Sequence, residues 1–465
     1  MNGAVMNKQT STIIRHEWTV MRREPVVWWS AGLLLLASIY ALAGGVSWQS
    51  SRLDETVASQ QEGAAVIAEQ RAAAAESAEF SGRVGGVRNY AALPPAPLAA
   101  FSVGLEDLYP ERAEISVWKR PDTLFGRYQL QSPLSLMVGR FDLGFVVIYL
   151  LPLFVLALSY DLLASERERG TLGLVLMQPV SLARLVSAKL LARLVWLTAF
   201  LAFVVAAGAL AAGVPAAAWP RLLGWFVISW LYGLFWLTLS GLVATLARRA
   251  ETCAAALAVF WLAIVLVIPG LLNVAAQAAS PTPSRLEFVT AMRAASSEAS
   301  KASADILAQY YHEHPELAAN GQQGGFMPAF YASERQVEQQ LEPLLEDYDA
   351  RLAGQQRLVT AWRFVSPAVL ANEALIELAG SGLDRQRSAV DQARDYLAEW
   401  HAALSPKLFL GQSLVPEDYD ALPLFTFEEP PVSAVRTAGA AGGLVLISLM
   451  AFIVARRRLA GFQVH

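Results

Sequence analysis

Six stretches of the chain are almost purely apolar, and polar sequence separates them. They cover 26–46, 141–160, 190–214, 222–246, 254–272 and 435–455, and each suits one bilayer crossing, which takes roughly 20 apolar residues. Basic residues gather on alternate sides of these stretches. Arg15, Arg22 and Arg23 precede the first; Arg167, Arg169, Arg184, Lys189 and Arg193 flank the gap between the second and third; Arg248 and Arg249 follow the fourth; Arg456, Arg457 and Arg458 follow the sixth. The other flanks hold only isolated arginines, Arg52, Arg140, Arg221 and Arg285. Positive charge stays in the cytoplasm, so the pattern predicts an all-α polytopic membrane protein with six transmembrane helices and both termini cytoplasmic. Both long polar blocks, 47–140 and 274–434, then fall on the extracytoplasmic side, where two insertions can build one mostly helical domain. The remaining segments are an interfacial helix at 1–25, a loop at 161–189 and a tail at 456–465.

Within this frame, local signals refine the elements. Ile13, Ile14, Trp18 and Met21 recur at helical spacing beside Arg15, Glu17, Arg22 and Arg23, as in an amphipathic helix lying on the membrane's inner face. Pro25 suits a first helical turn, and Trp28, Trp29, Tyr40 and Trp48 mark the interfaces of the first span. Residues 51–80 are rich in Ala, Glu and Gln and predict a helix; 81–104, with Pro94, Pro95 and Pro97, read as ordered loop. Asp142 is expected to be solvated at the outer end of the second span. Pro269-Gly270 is expected to break the fifth. The second polar block predicts helices around 285–310, 330–362, 366–380 and 384–404, followed by a proline- and aromatic-rich loop, LVPEDYDALPLFTFEEPP, against the membrane-proximal surface.

Composition narrows the class. A chain of 465 residues that is 55% hydrophobic and 16% charged is too apolar for an ordinary soluble protein. A net charge of −4 gives no reason to expect nucleic acid. Cys253 is the single cysteine, placed in an apolar run as a small buried hydrophobe. The first apolar run has no small-residue cleavage site after it and reads as a retained anchor. The chain holds no G-x-x-x-x-G-K-[ST] phosphate loop, no H-E-x-x-H and no G-x-S-x-G. It is therefore expected to be non-catalytic, with no cofactor of its own. His312 and His314, two apart around Glu313, read as exposed residues rather than as half a metal site. The spans hold almost no ionisable residue, which argues against an ion-coupled carrier.

The most specific local signal lies between the second and third spans. Glu166-Arg167-Glu168-Arg169 supports a helix, Leu172, Leu174, Val175, Leu176 and Met177 give it an apolar side, and Gln178-Pro179 ends it before another begins at Ser181. A charged loop between membrane helices would also look broadly like this. The detailed string ERERGTLGLVLMQPVSLARLVSAKLLAR, however, resembles the cytoplasmic segment of type-2 ABC transporter permeases, matching at Glu166, Glu168, Gly170, Thr171, Leu172, Pro179, Val180, Ser181 and Lys189. Gly173 departs from a position that is often acidic there. The resemblance implies that this segment, with Arg167 and Arg169, meets a separate ATPase. IIRHEWTVMRRE likewise resembles that family's interfacial helix, which implies the same role for Arg15, Glu17, Trp18, Arg22 and Arg23. Ser366-Pro367-Ala368 and Leu378-Ala379-Gly380 resemble recurring elements of a subgroup with large extracytoplasmic insertions.

The resemblance implies a permease subunit of an ATP-driven exporter in the cell inner membrane. Its partners would be two ATPase subunits, which bind the ATP and Mg, and a second permease, identical or paralogous. The alternative is a subunit that transmits ATP-driven motion to an extracytoplasmic protein, in envelope maturation or assembly, with no substrate crossing. An outward-facing membrane enzyme would need converging polar residues that the sequence does not identify.

Overall fold

The computed structural model describes residues 2–76, 84–108, 110–121, 124, 140–168, 170, 172, 177, 181–247, 249–281, 285–313, 326–410 and 412–460. A first helix, α1 (Asn2–Arg23), precedes six helices long and apolar enough to cross a membrane. These are α2 (Pro25–Glu76), α3 (Leu143–Glu168), α4 (Leu182–Ala211), α5 (Trp219–Leu246), α6 (Ala250–Ala279) and, after the second insertion, α12 (Ala434–Ala460). Helix α5 is the centre: 72% of its apolar window is buried, against 11% for α6, which lies at the edge. Its glycines explain how neighbours come so close. A Cβ on Gly224, Gly233 or Gly241 would lie 2.8, 2.6 or 2.9 Å from Leu378, Leu197 or Leu190, and small residues allow such approach where no hydrophobic force draws helices together. Trp225, Tyr232 and Trp236 fill the space between the glycines and are fully buried.

Two spans widen into a π-helical turn, at Val146–Leu150 and at Leu262–Val267. Each lies just before a proline, Pro152 or Pro269, whose missing N–H leaves an upstream carbonyl unanswered. Side chains of neighbouring helices answer instead. The Tyr232 hydroxyl donates to the Ile148 carbonyl at 3.1 Å and the Trp261 indole to that of Tyr149 at 3.2 Å. The Ser366 hydroxyl donates to the Ile264 carbonyl at 2.8 Å. Pro269-Gly270 thus distorts α6 one turn upstream but does not break it, and the helix runs on to Ala279.

The 51–80 helix is likewise not separate. It continues the first span as one helix of 52 residues, because nothing between Ser47 and Leu53 interrupts it. Beyond the span this rod is held laterally: Arg52 pairs with Glu111 at 2.8 Å, Thr56 donates to the Leu93 carbonyl at 3.3 Å, and Gly63 admits Asn89. The stretch read as loop contains a strand, β1 (Arg88–Ala92), paired antiparallel with β2 (Arg112–Ser116). Asp142 is not solvated. Its carboxylate is buried, accepting from the Phe145 N–H at 2.7 Å as the α3 cap and from the Val103 N–H at 2.8 Å.

The second insertion contributes α7 (Arg285–Lys301), α8 (Ser303–Glu313), α9 (Phe326–Trp362), α10 (Pro367–Ala379) and α11 (Leu383–Phe409). The two insertions share one core, in which Val87 and Ile115 from the first meet Tyr331, Trp400 and Leu404 from the second. Helix α10 is the exception. Leu370, Ala371 and Leu375 pack with the spans, between α5 and α12, and its 13 residues are too few to cross a bilayer. It enters the span bundle partway from the side of the inserted domain. Arg385 of α11 pairs with Glu106 and, at 2.9 Å, with Glu429, tying the two insertions to each other, and Arg221 at the start of α5 reaches that network by donating to the Pro430 carbonyl at 3.2 Å.

Two stability tests follow from this packing. A Cβ at Gly45 would meet the Ala100 carbonyl oxygen at 2.2 Å, whereas one at Gly44 meets nothing within 4 Å. Gly45→Ala should cost about 1–3 kcal/mol and Gly44→Ala should stabilise by about 0.5–1 kcal/mol, both read by thermal unfolding of the purified protein. In the inserted domain, burial, and then the charge of Arg335, push the His401 imidazole down to about 4. The fold favours its neutral form, so this stability is complete above pH 6.5 and is lost as pH falls towards 4, by up to about 3 kcal/mol. His401→Gln should flatten the loss between those pH values in denaturant titrations.

Candidate functional site

At the end of the bundle remote from the inserted domain, α1 lies across the base of α4. Met21 is buried, Ile13 and Ile14 are half-buried, and Arg15, His16, Arg22 and Arg23 face outward. Trp18 stacks on Trp196 at 5.1 Å between ring centroids, and Trp28 meets the same ring edge-on at 5.7 Å. Arg22 lies 5.5 Å over Trp18, and the Trp28 indole donates to the Arg22 carbonyl at 2.9 Å. This aromatic cluster fixes how α1 turns into α2.

Beside it sits a buried group of charges. Lys189 and Arg193, one turn apart on α4, both reach Glu17 of α1, each at 3.3 Å. Lys189 also pairs with Glu166, and Arg193 lies 3.6 Å from Asp161. The Arg193 guanidinium further donates to the Leu158 carbonyl at 2.6 Å. Glu17, Lys189 and Arg193 are all buried. Taking each such ion from water costs several kcal/mol, which the cluster offsets only because every charge meets an opposite one. The next turn extends the connection: Arg167 donates to the Ala247 carbonyl at 2.7 Å, and the Glu168 carboxylate accepts from the Ala250 N–H at 2.9 Å, capping α6. Helices α1, α3, α4, α5 and α6 are thereby joined at one point.

The sequence motif divides on this geometry. Glu166 and Lys189 point inward at each other and at Glu17. Leu172 is buried against the spans, Ser181 caps α4 by accepting from the Arg184 N–H at 3.4 Å, and Gly170 is exposed with φ +67°. Arg169, Thr171, Pro179 and Val180 lie outside the described residues, as does His314; His312 is exposed. Met177 stands 84% exposed in the same segment. Of the N-terminal set, Glu17 turns inward while Arg15, Arg22 and Arg23 remain available. Ser366 and Pro367 begin α10, Leu378 packs on Gly224, and Gly380 ends the helix at φ +82°. Sequence reasoning passed over Asp161 and took Arg193 only as a basic flank. The available signal was a cation embedded in LLARLVWL one turn beyond Lys189, which needs a buried acid.

Residues 125–271 match the family described as ABC-2 family transporter protein. That stretch, which holds α3, α4, α5 and most of α6, is similar to the membrane subunits of ABC transporters. ABC-2 permeases are membrane subunits, generally non-catalytic, that work with an ABC ATPase. The matched region holds Asp161, Glu166, Lys189 and Arg193, so four of the five clustered charges lie within the ABC-2 segment and Glu17 reaches them from α1. Residues 285–428 match a domain of unknown function (DUF3526), which covers α7 to α11. No curated protein matches the chain.

Removing one member of the cluster leaves its partners buried and uncompensated. Lys189→Met should cost about 3–5 kcal/mol, and adding Glu166→Gln should recover part of it, because Glu17 then keeps Arg193. Equilibrium unfolding of the detergent-solubilised single and double variants measures both effects.

Proposed function

We propose that this chain is the permease subunit of an ATP-driven exporter of the cell inner membrane, with the basic end of its bundle in the cytoplasm and the inserted domain in the periplasm. The observation that carries this reading is the keyed cluster Glu17–Lys189–Glu166–Arg193–Asp161, which with Arg167 and Glu168 ties α1 to the ends of four spans. Two ATPase subunits would dock on the exposed side of that piece, at Arg15, Arg22, Arg23, Gly170 and Met177, with ATP and Mg bound in the ATPases. A second permease, of the same sequence or a paralogue, would complete the membrane unit. Glu166 and Lys189 then act one step behind the contact, holding the docking segment against α1 while the ATPases close.

A second reading has its own support. Arg221 of α5 meets Glu429 at 3.5 Å, and Glu429 in turn pairs with Arg385 and through it with Glu106, a chain of charges from a span into both insertions that suits passing motion to an extracytoplasmic protein with no substrate crossing.

Both readings need the ATPase contact. Charge reversal at the exposed Glu168, or Gly170→Val, which strains a left-handed residue by about 1–3 kcal/mol, should leave the permease inserted but lower the ATPase recovered on co-purification and its permease-dependent ATP hydrolysis. Unchanged recovery and unchanged hydrolysis in both variants would remove the assigned coupling role.

A further inference from the structure

Three arginines end α12, and the half of the helix that leads to them is bare on one side. In the half nearer the inserted domain, α10 and the turn before it cover that side: Ala440, Gly443 and Leu444 are buried, and a Cβ at Gly443 would meet Phe364 at 3.0 Å. Past Gly443 the cover stops. Leu446, Leu449, Met450, Ile453 and Val454 are 57%, 50%, 52%, 40% and 45% exposed. At 3.6 residues per turn they share one face with Arg456 and Arg457, while Ser448, Ala455 and Leu459 are buried against the bundle.

The length of the strip and the state of its charges both matter. From Leu446 to Arg457 the helix rises about 16 Å at 1.5 Å per residue, close to the roughly 15 Å of hydrocarbon in one leaflet. Arg457 thus reaches headgroup level when Leu446 lies near the midplane. Lys189 and Arg193 at the same end are answered by Glu17, Glu166 and Asp161. Arg456, Arg457 and Arg458 are exposed, and none of them pairs with a carboxylate among the described residues.

An apolar strip one leaflet long that ends in unanswered cations is complementary to an amphiphile with an anionic head. A second copy of the chain does not fit this face, because a twofold contact would bring like arginines together. We propose that this half of α12 binds an anionic phospholipid of the phosphatidylglycerol type, its phosphate at Arg456 and Arg457 and an acyl chain along Leu446, Met450 and Ile453. The lipid fixes the depth of α12 in the bilayer. Phosphatidylethanolamine, with the same chains and phosphate but no net charge, is the discriminating analogue. The proposal rests on the membrane assignment of the permease reading but needs no ATPase.

Native mass spectrometry of the detergent-solubilised full chain, titrated separately with dioleoyl-phosphatidylglycerol and dioleoyl-phosphatidylethanolamine, tests it. The wild-type chain should prefer the glycerol lipid by about 25-fold, since each arginine beside an anionic headgroup is worth about fivefold. That preference should shrink as ammonium acetate rises from about 50 to about 500 mM. Arg456→Gln with Arg457→Gln should bring the ratio near one, whereas Arg456→Lys with Arg457→Lys keeps both charges and most of the preference. Should the double Gln variant fail to fold, Arg457→Gln alone should still cost about fivefold. Arg293→Gln, exposed on α7, should change nothing. A wild-type ratio near one, a preference that survives the Gln variants, or a dimer that forms only as the lipid leaves overturns the proposal. Because no ATPase is present, that failure is separate from failure of the coupling role tested by co-purification.

Discussion

Hydrocarbon offers no hydrogen bonds, so a backbone carbonyl or a charge carried into the membrane is costly unless another part of the protein answers it. That constraint organises the bundle more than helix propensity does. The carbonyls released before Pro152 and Pro269 are met by Tyr232, Trp261 and Ser366, and those three contacts hold α3, α5, α6 and α10 in register. At the base, Lys189 and Arg193 sit on a span helix and are tolerated only because Glu17, Asp161 and Glu166 converge on them. The contacts that make the fold possible in lipid are the ones that link its helices.

The two ends of the bundle are built differently. At the base, helices are joined through side chains of α1 and the α3–α4 turn, so a push on any of them is shared. At the other end Arg385, Glu106 and Glu429 tie the two insertions together and Arg221 joins them to α5, while α10 reaches back into the bundle beside α5. Helix α5, buried along most of its length, touches both systems. A displacement at the base thus has a continuous, closely packed route to the inserted domain, with Gly224, Gly233 and Gly241 marking where neighbours press hardest on it.

Much of this was readable in the sequence where a single physical rule dominates. Long apolar runs marked the six helices long and apolar enough to cross a membrane. The ERERGT segment pointed to the end of the bundle where the buried charges gather, but periodicity could not say which of its charges face inward, because Glu166 and Lys189 are chosen by Glu17, more than a hundred residues away in the chain. The β1–β2 pair was invisible for a related reason: RNYAA and RAEIS are each too short and too weakly alternating to read as strands until the other lies beside them. Helix α10 looked like one more polar-block helix, since 13 residues with two glutamates do not resemble a span. Its burial depends on the glycines of α5 and α12, which only the packed structure brings to it.

The unbroken α2 has a mechanical meaning. Its 52 residues make a rod of about 78 Å at 1.5 Å per residue, rooted in the Trp18–Trp28–Trp196 cluster and tied near its far tip by the Arg71–Asp420 pair. A tilt of only about 5° at the root would carry that tip through roughly 7 Å over such a length. A helix that ended at the membrane surface would deliver less than half of that sweep. The lever arm, rather than any hinge, lets a small rearrangement at one face of the bilayer become a large one well beyond the other.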